Sequence, residues 1–237
     1  VNDLDFTEKS RNPNPKRMLR TYNQSAATLN LLRAFTKGGF ADLNKVHLWN
    51  QEFIAQSPQG KRYEKVANSI DEALTFMKAV GISSENTAAL HLTEFFTSHE
   101  ALLLGYEHAL TRQDSITDKW YNCSAHFLWI GDRTRQPDGA HVEFLSGVEN
   151  PIGVKVGPSI TEDELLSLCE KLNPANEFGR LTLIARFGAE SIRKHLPPLI
   201  RAVKENSNNV LWVCDPMHGN TYKSPNGFKT RHFDTIL

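Results

Sequence analysis

Apolar residues recur at helical spacing in the first third of the chain. In the stretch 16–35 they lie at Leu19, Tyr22, Ala26, Leu29 and Leu32. This spacing predicts an amphipathic helix, and two further helices are predicted over about 48–54 and 63–80. Residues 1–15 are polar and contain two prolines, so they are predicted to form a loop or arm.

The pattern changes after residue 82, where short apolar runs alternate with helical stretches. Strands are predicted at 88–96, 124–130, 152–156, 181–185 and 210–214. Four helices are expected in this part of the chain. They cover 100–110, a stretch that starts at Thr161, the stretch from the end of the fourth strand to about residue 204, and 228–237. Thr161 and Glu164 have the spacing of a capping box. This alternation predicts repeated βα units and a parallel sheet. We expect one domain, with an arm and added helices over 1–82 and successive βα units over 83–237. The pattern leaves open whether the sheet is open and doubly wound or part of a longer barrel.

Composition limits the class of protein. Twenty-seven basic and 27 acidic residues give a formal net charge of zero, which does not support a nucleic-acid or membrane partner. Three cysteines without CxxC spacing argue against a disulfide framework and favour a reducing cytoplasm. Cys214 is expected to be buried and inert. The chain does not begin with Met, and we expect a partial sequence.

Charged residues stand at the carboxyl ends of several predicted strands, where active sites of parallel α/β proteins lie. In chain order they are Asp132, Arg133, Arg135, Lys155, Arg186, Asp215 and His218. Lys155 lies between valines in a short strand, and burying its charge without a partner would cost several kcal/mol. We therefore expect the cations to form a site for a doubly charged group such as a phosphate. Structural roles remain open: Asp132 and Arg135 can pair with each other, and His218 can be a loop histidine.

Six segments together resemble the class II (plant-type) 3-deoxy-D-arabino-heptulosonate 7-phosphate (DAHP) synthases. They are RTYNQSAATLNLLR at 20–33, SHEALLL at 98–104, WIGDRTRQ at 129–136, PIGVKVGP at 151–158, CDPMHGNT at 214–221 and GFKTRHFD at 227–234. The resemblance covers essentially the whole chain. It implies a (β/α)8 TIM barrel, present here as an incomplete barrel with about strands three to seven.

The resemblance also implies a function. The expected reaction condenses phosphoenolpyruvate with erythrose 4-phosphate to give DAHP and phosphate, the first step of the shikimate pathway. Asp132, Arg133, Lys155 and Arg186 are expected to hold phosphoenolpyruvate. Lys155 and His218 are expected to be catalytic, and His218 is expected to bind a divalent metal, Mn²⁺ or Co²⁺ among others. A cytoplasmic (or, in a plant, plastid) homo-oligomer is expected for the full-length protein.

This chain departs from the family pattern in two ways. Asp132 stands where the family usually has Glu. The family also holds its metal with a Cys, a His, a Glu and an Asp, of which only the His lies in the matching segments. We therefore expect the isolated chain to be inactive. Two alternatives remain open: another metal-dependent phosphosugar barrel aldolase, and a non-catalytic fragment.

Overall fold

The computed structural model describes residues 3–5, 7–56, 60–92 and 94–236. The chain divides into two compact units, Val1–Phe95 and Phe96–Leu237. None of the described helices is long and apolar enough to cross a lipid bilayer.

The first unit is helical. Its elements are α1 Glu8–Arg11, α2 Lys16–Lys37, α3 Leu43–Gln56, a 3-10 turn Gly60–Tyr63, α4 Glu64–Ala79 and α5 Ala88–His91. The three helices predicted here from apolar spacing are confirmed, and α1 lies within the predicted arm. The strand predicted over 88–96 is wrong, because residues 88–91 form α5. A short apolar run does not distinguish strand from helix, and the alanines that open this one favour a helix.

The second unit contains an α/β fold. Its elements are β1 Ser98–Glu100, α6 Leu104–Ala109, β2 Thr111–Gln113, β3 Trp120–Asn122, β4 Phe127–Ile130, α7 Ala140–Ser146, β5 Ile152–Val156, α8 Glu162–Leu172, β6 Leu181–Ala185, α9 Ile192–Glu205, β7 Leu211–Cys214, β8 Tyr222–Lys223, β9 Lys229–Thr230 and α10 Phe233–Ile236. The predicted strands 152–156 and 181–185 are confirmed at both ends. The helix predicted over 100–110 is observed but is shorter, as α6. The helix predicted over 228–237 is confirmed in part: α10 covers Phe233–Ile236, whereas β9 occupies the start of the predicted range.

Five of these strands form one parallel sheet in the order β1-β4-β5-β6-β7. The first of them is β1, which the pattern did not predict as a strand. All five strands run in the same direction, so their carboxyl ends lie at the same end of the sheet. The charged residues that follow β4, β6 and β7 therefore lie at the same end of the sheet as Lys155, which is near the end of β5.

The hydrophobic core lies on one face of this sheet. Strand side chains of the core include Leu128, Ile130, Ile152, Val154, Val156, Leu181 and Leu183, and their helix partners include Val142, Leu145, Leu165, Leu168, Leu172, Leu199 and Val203. Alternation along β5 places Ile152, Val154 and Val156 on this covered face and Lys155 on the other.

The opposite face is less covered. By register it carries Lys155 of β5, Trp129 of β4, and Leu211 and Val213 of β7. Leu211 is 58% exposed and Val213 is 44% exposed, which is unusual for apolar residues in a parallel sheet. The observed architecture is thus a five-stranded parallel α/β sheet with α7, α8 and α9 packed on one face.

Candidate functional site

Asp132 and Arg186 form an ion pair that spans the end of β5. Asp132 follows β4 and Arg186 follows β6, and Arg186 Nη1 donates to Asp132 Oδ2. Gly157 lies between them at the end of β5. A Cβ atom at Gly157 would stand 3.0 Å from Asp132 Oδ1 and 3.4 Å from Arg186 Nη1. The absence of a side chain at Gly157 therefore leaves room for this pair.

Arg135 and Arg133 follow the same strand but differ in environment. Arg135 is 4% exposed, and its guanidinium contacts two carboxylates, Asp132 (Nε to Oδ1, 3.2 Å) and Glu164. Its third contact is Nη2 to Ser159 Oγ at 3.0 Å. Arg133 is exposed, and it takes part in none of the ion pairs that the described residues make at the carboxyl ends of the strands. Arg133 is thus available to a ligand, whereas Arg135 is held within the protein.

Lys155, Asp215 and His218 form a second group. Lys155 Nζ lies 2.5 Å from Asp215 Oδ2, and His218 Nδ1 lies 2.7 Å from the same oxygen. Asp215 Oδ1 accepts from the backbone N–H of Met217 (3.0 Å) and of His218 (3.2 Å). Burial alone would raise the pKa of Asp215, but the hydrogen bonds from Lys155 and His218 hold it well below its usual value. Asp215 is therefore an anion that fixes both neighbouring side chains.

Among the contacts of the described residues, Lys155 and Arg186 each keep hydrogen-bond donors that no carboxylate takes. Lys155 has three N–H donors and Arg186 has five, whereas each gives one to a carboxylate. Lys155 Nζ also lies 5.5 Å from the centre of the Trp129 ring, a cation–π contact. Lys155 and Arg186 therefore each keep donors that an anion at this end of the sheet could use, while Asp215 and Asp132 hold the two side chains in place.

The comparisons with known proteins identify the family. The family model described as "Class-II DAHP synthetase family" matches residues 1–237. The chain belongs to this family. A relative in Streptomyces coelicolor, named phospho-2-dehydro-3-deoxyheptonate aldolase, is 55% identical over 237 residues, which are 100% of this chain and 52% of that protein. A relative in Mycolicibacterium smegmatis, named phospho-2-dehydro-3-deoxyheptonate aldolase AroG, is 48% identical over 242 residues, with 100% of this chain and 52% of that protein covered. The chain spans about half the length of these curated relatives.

His218 has the geometry of a histidine that can bind a metal. Its Nδ1 is hydrogen-bonded to Asp215, and such a contact fixes the ring and leaves Nε2 for a metal ion. The part of the chain that the structure describes contains no group of three or more His, Cys, Asp or Glu side chains placed to hold a metal. His218 therefore has the hydrogen bonding that suits a metal ligand, and the described residues do not supply the further ligands of such a site.

The sequence pattern did not predict the contact of Glu164 with Arg135, and it predicted the wrong environment for Cys214. It treated Glu164 only as part of a helix cap, whereas its carboxylate contacts the buried guanidinium of Arg135. It expected Cys214 to be buried, but Cys214 is exposed, because it lies on an outer strand of the sheet. The sequence feature that could have indicated this contact is the position of Glu164 in the first turn of α8, the helix that follows the carboxyl end of β5.

Proposed function

We propose that the full-length protein condenses phosphoenolpyruvate with erythrose 4-phosphate to DAHP and inorganic phosphate. The observation that carries the proposal is the placement of Lys155 and Arg186 on neighbouring strand ends, each held by a carboxylate and each with donors to spare. Phosphoenolpyruvate is a small acid with a phosphate and a carboxylate, and such groups are bound best by several convergent cations. The names of the two relatives support the same reaction class.

The roles proposed for the residues follow from their contacts. Arg186, Lys155 and the exposed Arg133 bind the phosphate and carboxylate of phosphoenolpyruvate. Asp132 orients Arg186, and Asp215 orients Lys155. By neutralising the substrate's negative charge, these cations allow C3 of phosphoenolpyruvate to approach the aldehyde of a second phosphorylated substrate.

The bond changes of the proposed reaction balance without an external oxidant or reductant. The π electrons of the C2–C3 double bond form a bond between C3 of phosphoenolpyruvate and the aldehyde carbon of erythrose 4-phosphate, whose oxygen takes up a proton. Water then adds at the electron-poor C2 and loses a proton, which leaves a hydroxyl group there. The bond between C2 and the phosphate oxygen breaks, inorganic phosphate leaves with the bonding electrons, and the C2 hydroxyl gives its proton to the phosphate as the ketone forms. Cations that bound the phosphate ester also stabilise the leaving phosphate.

We propose that the full-length protein holds a divalent metal, Mn²⁺ or Co²⁺, with His218 as one ligand. Catalytic metal sites typically use about three protein ligands, so the others have to come from outside the described residues. When bound, the metal would polarise the aldehyde carbonyl of erythrose 4-phosphate.

We propose that the parallel sheet is part of a (β/α)8 barrel and supplies about strands three to seven. The exposed Leu211 and Val213 and the two open sheet edges at β1 and β7 support this, because a closed barrel buries such side chains and pairs such edges. A homo-oligomer in the cytoplasm is proposed for the full-length protein. The thiols of Cys123, Cys169 and Cys214 are all free, which suits a reducing compartment.

The experiment is an assay of the purified full-length protein. Phosphate release and loss of the phosphoenolpyruvate absorbance are followed with and without erythrose 4-phosphate, and with Mn²⁺ or Co²⁺ after chelation. We expect equal rates of both signals, dependent on both substrates. Release of phosphate without erythrose 4-phosphate, or borohydride trapping of a Schiff base on Lys155, would contradict the proposal and favour an aldolase of another type.

A further inference from the structure

Arg135 is a buried guanidinium whose charge is compensated twice. It contacts the carboxylates of Asp132 and Glu164, and its remaining terminal nitrogen donates to Ser159. A buried cation with two anionic partners is poorly suited to bind a substrate anion, which would have to compete with both carboxylates. Arg135 therefore acts inside the protein, although its sequence neighbour Arg133 faces solvent.

Asp132 divides its two oxygens between two arginines. Oδ1 accepts from Nε of Arg135, and Oδ2 accepts from Nη1 of Arg186. A continuous chain of charged contacts thus runs from Glu164 through Arg135 and Asp132 to Arg186. We name these four residues the ion-pair path. It connects the first turn of α8 with the end of β6, across the end of β5.

Glu164 is fixed at its own end of this path by the start of α8. Thr161 is the N-cap, and its hydroxyl accepts from the backbone N–H of Glu164 at 3.2 Å. That half of the predicted capping box is confirmed. The carboxylate of Glu164 lies instead on Nη1 of Arg135. A helix cap therefore anchors the backbone while the side chain is used elsewhere.

We propose that Glu164 is a positioning residue for the binding of phosphoenolpyruvate. Glu164 accepts from Nη1 of Arg135 and Ser159 accepts from Nη2, so only Nε is given to Asp132. Without the charge of Glu164, Asp132 would be the carboxylate left to compensate the buried charge of Arg135. Asp132 would then shift toward Arg135, and Arg186 would lose the partner that orients it. This inference rests on the proposed function, because Arg186 is assigned there to the substrate.

The test uses steady-state kinetics of the full-length enzyme with Glu164→Gln. We expect KM for phosphoenolpyruvate to rise about tenfold, with kcat within about twofold of wild type, since the change acts on substrate binding through Arg186. Asp163→Asn is the matched control: it removes a negative charge from the same helical turn, and Asp163 is exposed. Glu164→Asp keeps the charge and should restore part of the affinity. Arg186→Lys combined with Glu164→Gln should raise KM by less than the product of the single effects.

Two results would overturn the inference. One is the same KM in Glu164→Gln and Asp163→Asn. The other is a lower unfolding temperature and lower kcat in Glu164→Gln with KM unchanged, which would make its role purely structural. If the wild-type protein lacks synthase activity, the proposed function fails separately. In that case the binding of inorganic phosphate is measured by calorimetry. Weaker binding in Glu164→Gln but not in Asp163→Asn supports the path, and equal binding in these two variants refutes it.

Discussion

Replacement of Lys155 by Met in the full-length protein removes the ammonium group and keeps a side chain of similar length. The structure gives Lys155 two roles, as the ion-pair partner of Asp215 and as a candidate ligand of phosphoenolpyruvate. We therefore expect two separable effects of the substitution, a loss of folding stability and a loss of turnover.

The size of the stability effect follows from burial. Lys155 and Asp215 have side chains that are 15% and 10% exposed, and their charged atoms are 2.5 Å apart. Removing one partner of a fully buried pair costs about 3–5 kcal/mol. Here Asp215 keeps its bonds from two backbone N–H groups and from the ring of His218, so we expect a loss of about 2–3 kcal/mol. Loss of one charged hydrogen bond to the substrate is worth about 1.5–3 kcal/mol, or about 10- to 150-fold in the affinity for phosphoenolpyruvate.

Urea unfolding measures the first effect, and calorimetric titration with phosphoenolpyruvate and phosphate release measure the second. Lys204→Met is the control, because Lys204 is exposed in the last turn of α9. In a double-mutant cycle with Asp215→Asn, the two changes should fall short of additivity by about 1–2 kcal/mol. A Lys155→Met enzyme with wild-type affinity and turnover would refute the reasoning, and full additivity with Asp215→Asn would refute the ion pair.

Four further outcomes are expected. His218→Ala should abolish turnover and lower the metal content measured by mass spectrometry, and a variant with unchanged metal and rate would remove His218 from the site. Gly157→Ala should raise KM for phosphoenolpyruvate, because its methyl group would stand 3.0 Å from Asp132 Oδ1; unchanged KM would mean that the pair moves freely. The isolated 237-residue chain should have no synthase activity and should aggregate in light scattering, and turnover by that chain would contradict this. Burial raises the pKa of Cys169 to about 11, so the stability that its neutral thiol contributes is present below about pH 9 and is lost as pH rises toward 11. Cys169→Ala should remove that part of the alkaline decline in urea unfolding, and an identical decline would refute it.

Apolar patterning predicted the central part of the fold well. The strand of Lys155 and the strand that ends before Arg186 were placed at their observed bounds, because most residues of each are apolar and each is followed by polar or Gly-containing sequence. The hairpins β2-β3 and β8-β9 were not predicted, because their strands of two or three residues have no apolar alternation.

The sequence named the charged residues of the candidate site but not the contacts between them. The ion pair of Lys155 with Asp215 joins residues 60 positions apart, and that of Asp132 with Arg186 joins residues 54 positions apart. Such pairs depend on the order of strands in the sheet, which local pattern does not determine. Burial of a charge indicated that Lys155 needs an anion, but only the fold supplies Asp215 as that anion.

The most direct measurement is a crystal structure of the full-length protein with phosphoenolpyruvate bound. The account predicts Nζ of Lys155 and the guanidinium of Arg186 within about 3.2 Å of phosphate or carboxylate oxygens of the ligand. A ligand bound elsewhere, with these two side chains directed away from it, would contradict the account.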